Sequence, residues 1–137
     1  MIALSPKARR SARERAMQFL FGLEFTGYPW QERLEIFWET NPSRPPVRQY
    51  ADALIGGVME RREELDAGID AALDRWTPER VGRIERNVLR VALFEMRHGD
   101  GVPAGVAINE AIEVVRQFTT DESAAFVNAV LDRLKDK

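Results

Sequence analysis

The apolar positions of this chain recur at intervals of three and four residues almost throughout, the spacing of amphipathic helices and not of strands. Prolines, glycines and capping residues divide the pattern into seven segments. The predicted helices cover residues 6–25, 30–39, 47–61, 64–76, 78–97, 106–118 and 120–134. The pattern therefore predicts an all-α fold.

Local signals set the expected ends of these helices. Ser5 and Thr77 each precede a proline and are predicted to cap the helix that follows. Thr119, with Glu122 three residues later, predicts a capping box for the last helix. The Gly56–Gly57 pair lies inside the third helix, where the lack of side chains is expected to let two helices approach closely.

A proline-rich linker at residues 41–46 interrupts the helical pattern. A chain of 137 residues fits one domain over residues 1–137. We expect two small bundles packed together, with three helices in residues 1–62 and four in residues 63–137. Each bundle is small, so the two are expected to share a core.

The first helix carries two distinct faces on a helical wheel. Its expected core face consists of Ala8, Ala12, Ala16, Phe19 and Leu23. The neighbouring sector is predicted to be exposed and holds Arg9, Arg10, Arg13 and Met17, with Phe21 at its edge. Arginine forks bind phosphate and aromatic rings stack on unpaired bases, so the sector suggests single-stranded RNA binding. From composition alone, a solvated charged face explains it equally well.

Charge is unevenly distributed along the chain. Residues 1–15 hold five cations against one carboxylate, a local charge of +4, although the whole chain has a net charge of −2. Such a basic segment in an acidic protein points to an anionic partner. Four further arginines form a stripe on the fifth helix, and we interpret them as a salt-bridged face: Arg83, Arg86, Arg90 and Arg97.

Residues with catalytic potential are sparse. The chain has no cysteine, and its one histidine, His98, lies in a glycine-rich turn. Glu110 and Glu113 are three residues apart, which is more typical of a solvated helix face than of an acid–base pair. We predict no enzymatic activity, no metal and no cofactor. Without a leader-like segment or a run of ~20 apolar residues, we expect a cytoplasmic protein with no membrane partner.

Several blocks along the chain resemble the NusB transcription antitermination family. They are ARRSARE at 8–14 with Ala16 and Gln18, IERNVLRVALFE at 84–95, VP at 102–103, VAINEAIE at 106–113, Phe118, and FVNAVLD at 126–132. The resemblance implies two perpendicular helical bundles and antitermination on ribosomal RNA operons. It also implies binding of boxA single-stranded RNA together with NusE, a small-subunit ribosomal protein, and assembly with other Nus factors on RNA polymerase.

The same resemblance assigns functions to individual positions. The implied RNA-binding residues are Lys7, Arg9, Arg10, Arg13, Gln18, Phe118, Glu122 and Phe126. The implied NusE-binding residues are Phe21, Glu79 and Glu85. Ala129 stands where the family usually has glycine, so its Cβ is expected to crowd whatever packs on the last helix.

Three other interpretations remain open from the sequence. A helical protein–protein adaptor could dock an acidic partner on the basic face without recognising RNA. The same fold occurs as the N-terminal RNA-binding domain of ribosomal RNA cytosine methyltransferases, of which this chain would be a fragment. Self-association through the RNA-binding surface, giving a homodimer, is also compatible with the family.

Overall fold

The computed structural model describes residues 4–26, 29–99 and 101–136. Within these residues the chain is helical and contains no strand, which confirms the predicted all-α fold. None of the described helices is both long enough and apolar enough to span a bilayer. The elements are α1 Pro6–Leu23, α2 Trp30–Thr40, α3 Pro45–Glu60, α4 Arg62–Ala71, a 3-10 turn Pro78–Arg80, α5 Arg83–His98, α6 Ala104–Phe118 and α7 Asp121–Leu134.

One of the three predicted caps is confirmed. The Ser5 hydroxyl accepts a hydrogen bond from the Ala8 amide at 3.1 Å. Thr77 instead precedes only the 3-10 turn and makes no side-chain cap, because α5 begins later, after Gly82. The capping box was also placed one residue too early. Thr119 ends α6 by donating to a carbonyl of that helix, so Thr120 caps α7 and accepts from the Ser123 amide.

A single main core collects buried side chains from α1 and from α3 through α7. Its fully buried members include Ile55, Leu65, Leu89, Val115 and Leu131. A smaller cluster joins α1 to α2 and α3 around Trp38. In the part of the chain that the structure describes, three helices precede residue 61 and four follow it, and helices on both sides contribute to the main core. The boundary at residue 62 therefore stays a prediction about subdomains.

Helix α1 is central because α3, α5 and α6 all pack on it. Hydrogen bonds from Arg13 to Glu95 and from Asn87 to Glu24 show that α1 and α5 are antiparallel. Pairing of Arg10 with Glu110, and of Glu14 with Gln117, shows that α1 and α6 run in the same direction.

This central position corrects the predicted exposure of Met17. Its side chain is buried and faces a small space lined by residues of α5 and α6, among them Val88 and Val114. The helical wheel assumed one covered face, whereas α1 is covered on two.

Two expectations about small residues have opposite outcomes. Gly57 does allow a close approach, since a Cβ built there would overlap the ring of Phe94 on α5. Ala129 is exposed, so the expected crowding at this position does not occur.

Two of the four arginines of the stripe on α5, Arg86 and Arg90, are salt-bridged, as predicted. Arg86 lies 2.7 Å from Asp70, and Arg90 donates to both carboxylate oxygens of Asp66 at 2.7 and 2.9 Å. Arg83 differs, because its guanidinium lies 4.8 Å from the centre of the Phe25 ring.

Candidate nucleic-acid interface

The arginines of α1 divide into one buried anchor and two surface residues. Arg13 is only 5% exposed and donates to both carboxylate oxygens of Glu95, at 2.7 and 3.0 Å. The Tyr50 hydroxyl donates to the same carboxylate. This cluster joins α1, α3 and α5, and it turns the Arg13 fork away from solvent. The predicted exposed arginine sector is therefore smaller than expected, and the assignment of Arg13 to RNA stays a prediction.

Burial and the negative charge of Glu95 shift the pKa of Arg13 in opposite directions and the pKa of Tyr50 in the same direction. Burial alone lowers the pKa of Arg13, but the hydrogen bond and negative charge of Glu95 outweigh it and leave that pKa raised. Burial, followed by the hydrogen bond and charge of Glu95, raises the pKa of Tyr50 to about 12. Arg13 is therefore charged and Tyr50 neutral at physiological pH.

The remaining cations of α1 form what we call the basic surface, consisting of Lys7, Arg9 and Arg10. Arg10 is 43% exposed, and Glu110 of α6 holds it through hydrogen bonds of 2.8 and 3.3 Å. Arg9 lies 5.4 Å from the centre of the Tyr50 ring. Both guanidinium groups are thus held in place while part of each stays accessible. Lys7 is exposed.

A groove of about 290 Å³ runs beside the basic surface, between the start of α1 and the start of α6. Arg9 and Glu110 contribute polar groups to it, and Val102, Pro103 and Val106 give it an apolar wall. Cations beside an apolar wall suit a ligand that alternates anionic and apolar groups, as a nucleic-acid strand does.

A second groove, of about 160 Å³, lies where α5, the N-terminus of α7 and the segment after α4 meet. It brings together Glu85, Glu122 and Phe126, three of the residues assigned from the sequence. Trp76 completes it, with its ring 5.2 Å from that of Phe126 and nearly perpendicular to it. We call it the Trp76 groove. Sequence reasoning missed Trp76, although a tryptophan just before the Thr–Pro turn was a usable signal.

The carboxylate of Glu85 is fixed within the Trp76 groove. The Ser123 hydroxyl donates to it at 2.6 Å, and the carboxylate lies close over the Cα of Gly82, where a side chain would collide with it. Glu122 lies in the first turn of α7 and is exposed.

The other assigned residues lie elsewhere on the surface. Gln18 is partly buried and accepts a hydrogen bond from Arg15 at 3.3 Å. Phe118, at the end of α6, packs partly against the core. Phe21 does the same at the far end of α1, with its ring 5.3 Å from that of Phe25. Glu79 is exposed on the 3-10 turn.

Acidic and histidine side chains show no arrangement suited to metal binding. Among the described residues, no group of three or more potential ligands could hold an ion. His98 lies 3.9 Å from Glu64, in an exposed pairing.

Comparison with known proteins matches residues 10–136 to the NusB family. The chain belongs to the NusB family. The transcription antitermination protein NusB of Myxococcus xanthus is 41% identical over 131 residues, covering 93% of this chain and 94% of that protein. Members of the NusB family are transcription antitermination factors and not enzymes, as the sequence predicted.

Solved NusB structures share the fold. NusB of T. maritima superimposes with a TM-score of 0.86 at 30% identity, covering 98% of this chain and 94% of that one. A chain in the crystal structure of antitermination factors NusB and NusE in complex with dsRNA has a TM-score of 0.85 at 23% identity, covering 96% and 98%. At that identity the second likeness concerns the fold alone.

Proposed function

We propose that this NusB-family chain binds boxA RNA of nascent ribosomal RNA transcripts as a complex with NusE. In this proposal the complex joins other Nus factors and RNA polymerase in the cytoplasm. The observation that carries the proposal is the basic surface, where Arg9 and Arg10 are accessible and held in place on a central helix. The fold shared with a NusB–NusE–dsRNA complex supports it.

The basic surface meets the needs of an RNA backbone. Guanidinium forks donate paired hydrogen bonds to phosphate oxygens and stay charged at any physiological pH. Arg9 and Arg10 are already oriented by Tyr50 and Glu110, so little side-chain freedom is lost on binding. We assign them, with Lys7, to the phosphates, and give Arg13 a positioning role beneath them. Gln18, Phe118, Glu122 and Phe126 are proposed to contact RNA further along.

The proposed NusE contact lies around the far end of α1. Phe25 is 60% exposed there, between Phe21 and the guanidinium of Arg83. Exposed aromatic rings and arginines are enriched at protein–protein interfaces. We propose that NusE covers this patch, with Glu79 and Glu85 at its border.

A titration of boxA RNA at several salt concentrations, with and without NusE, tests the proposal. Arg9→Ala and Arg10→Ala are each expected to weaken RNA binding about tenfold. Each is also expected to reduce the slope of log affinity against log salt by about 0.7, because one phosphate contact is lost. Arg62→Ala, an exposed arginine at the start of α4, is the matched control and is expected to change neither quantity.

Two results would contradict the proposal. If NusE leaves the affinity unchanged and boxA RNA binds no better than a scrambled strand, the chain does not act as a boxA-recognising complex. If Arg9→Ala and Arg10→Ala weaken binding of an acidic protein but not of RNA, the protein–protein adaptor is the correct interpretation.

A further inference from the structure

We infer that Trp76 is a stacking platform for one unpaired base of the bound RNA. The inference rests on the proposed function and extends it by adding a residue that the family resemblance did not assign. The Trp76 groove takes a single nucleobase and not a phosphate.

Trp76 is exposed beside a second aromatic ring. Its side chain is 47% exposed, although it stands beside the partly buried Phe126 and burying a ring this large is strongly favourable. Since the Phe126 ring meets it at 69°, the two rings form a corner and do not cover each other face to face. A flat aromatic ligand fits such a corner, with its face on one ring and its edge toward the other.

The backbone that carries Trp76 is held against α7 by hydrogen bonds. Arg133 donates to the Ala72 carbonyl at 2.8 Å and reaches Asp74 at 3.4 Å. Asp74 adopts a left-handed conformation with φ of 60°, which turns the chain after α4. The Trp76 amide then donates to the Leu73 carbonyl at 3.0 Å. The backbone of Trp76 is therefore held before any ligand arrives, and the contact with the Phe126 ring limits the freedom of the indole, which lowers the entropic cost of binding.

Polar groups at the rim complement the edge of a base. Arg80 supplies donors and Glu122 supplies acceptors to the same groove. A nucleobase carries donors and acceptors side by side on its edge, whereas a phosphate carries acceptors only. The carboxylates of Glu85 and Glu122 would repel a phosphate, so the groove favours the base.

The Trp76 groove and the basic surface both border α6. Glu110, which holds Arg10, lies in the first half of α6, and Thr120, just beyond the end of α6, lines the groove. Thr120 is ten residues after Glu110, which corresponds to about 15 Å along the helix. An RNA strand that follows α6 would thus pass from phosphate-binding cations to an aromatic corner.

Binding of boxA RNA by the full chain with NusE, using Trp76→Ala and Trp76→Phe, tests this inference. Trp76→Ala is expected to weaken binding about 5- to 100-fold, while Trp76→Phe keeps most of the affinity because phenylalanine still stacks. The salt dependence should stay unchanged in both variants, unlike in Arg9→Ala, since no phosphate contact is removed.

A set of boxA strands, each with one abasic position, identifies the stacked base. At one position the missing base should weaken binding to the unmodified chain but have no further effect in Trp76→Ala, since the two changes remove the same contact. RNA-dependent quenching of tryptophan fluorescence should disappear in Trp76→Phe and persist in Trp30→Phe.

The outcomes separate this inference from the function on which it rests. If the unmodified chain with NusE binds boxA RNA and Trp76→Ala binds equally well, the inference is wrong and the proposed function stands. If Trp76→Ala weakens NusE binding in the absence of RNA, the groove takes a protein and the inference is also wrong. If the unmodified chain binds no RNA even with NusE, both are rejected.

Discussion

Arg13 shows how far residue identity alone can be taken as evidence of function. Its position in the ARRSARE block assigned it to RNA, whereas its partner in the structure is Glu95, 82 residues away in the chain. A helical wheel gives the direction of a side chain and not the charge of the helix that will pack against it. The same limit hid Trp76, which lies in the segment after α4 and whose partner Phe126 lies on α7.

Breaking the Arg13–Glu95 pair should cost much of the stability of the fold. Arg13→Ala leaves a buried carboxylate without its cation, and we expect the free energy of unfolding to fall by about 3–5 kcal/mol. Urea denaturation measures this change. The control is Arg116→Ala on α6, whose pairing with Glu113 is exposed and should be worth at most about 1 kcal/mol. Equal losses in the two variants would contradict a structural role for Arg13.

Removing both charges tests whether the loss of stability comes from the unpaired charge of Glu95 or from lost packing. The double variant Arg13→Met with Glu95→Leu is expected to be more stable than Arg13→Met alone, because no buried charge remains. A double variant that is no more stable than Arg13→Met would show that the unpaired charge of Glu95 is not the main cause of the loss.

At the scale of elements, periodicity predicted which segments are helical and capping chemistry was less dependable. In the described residues all seven predicted helices are present, but α4 ends at Ala71 and not at Trp76, and α5 begins at Arg83 and not at Pro78. The cap of α7 was misplaced because two adjacent residues, Thr119 and Thr120, offer equivalent chemistry, whereas α5 begins later than predicted because Pro78 starts only a 3-10 turn. Which of two adjacent threonines becomes the cap depends on where the preceding helix ends.

The two glycines of α3 provide a matched pair for testing how α3 packs on α5. At Gly57 an added Cβ would overlap the Phe94 ring, whereas at Gly56 the nearest atom is 4.0 Å away. Gly57→Ala should therefore lower the free energy of unfolding by about 1–3 kcal/mol. Gly56→Ala should raise it by about 0.5–1 kcal/mol, because alanine favours the helix. Thermal or urea unfolding of both variants checks the difference in sign.

A compensating change tests the cause of the Gly57 effect. If overlap with Phe94 is responsible, Phe94→Leu should destabilise the Gly57→Ala background less than it destabilises the unmodified chain. Additive effects of the two substitutions would show that α3 and α5 are not coupled through this contact.

For the whole molecule, the central position of α1 links stability to the proposed function. The helix that carries the basic surface also supplies Met17, Phe19 and Leu20 to the main core. The sequence predicted two bundles that share a core, but it could not show that one helix packs on α3, α5 and α6 together. That arrangement depends on contacts between residues far apart in the chain.

A core shared in this way predicts that the two halves of the chain unfold together. Trp30 and Trp38 report on the first half, particularly in a Trp76→Phe variant, while far-UV circular dichroism reports on all helices. We expect both signals to give the same urea midpoint in a single transition.

Separated pieces covering residues 1–61 and 62–137 should each be poorly folded, because the α5 and α6 surfaces that cover α1 would be exposed to water. Two distinct midpoints, or an independently folded second piece, would show that the division near residue 62 separates autonomous subdomains. In that case the basic surface could move relative to the Trp76 groove.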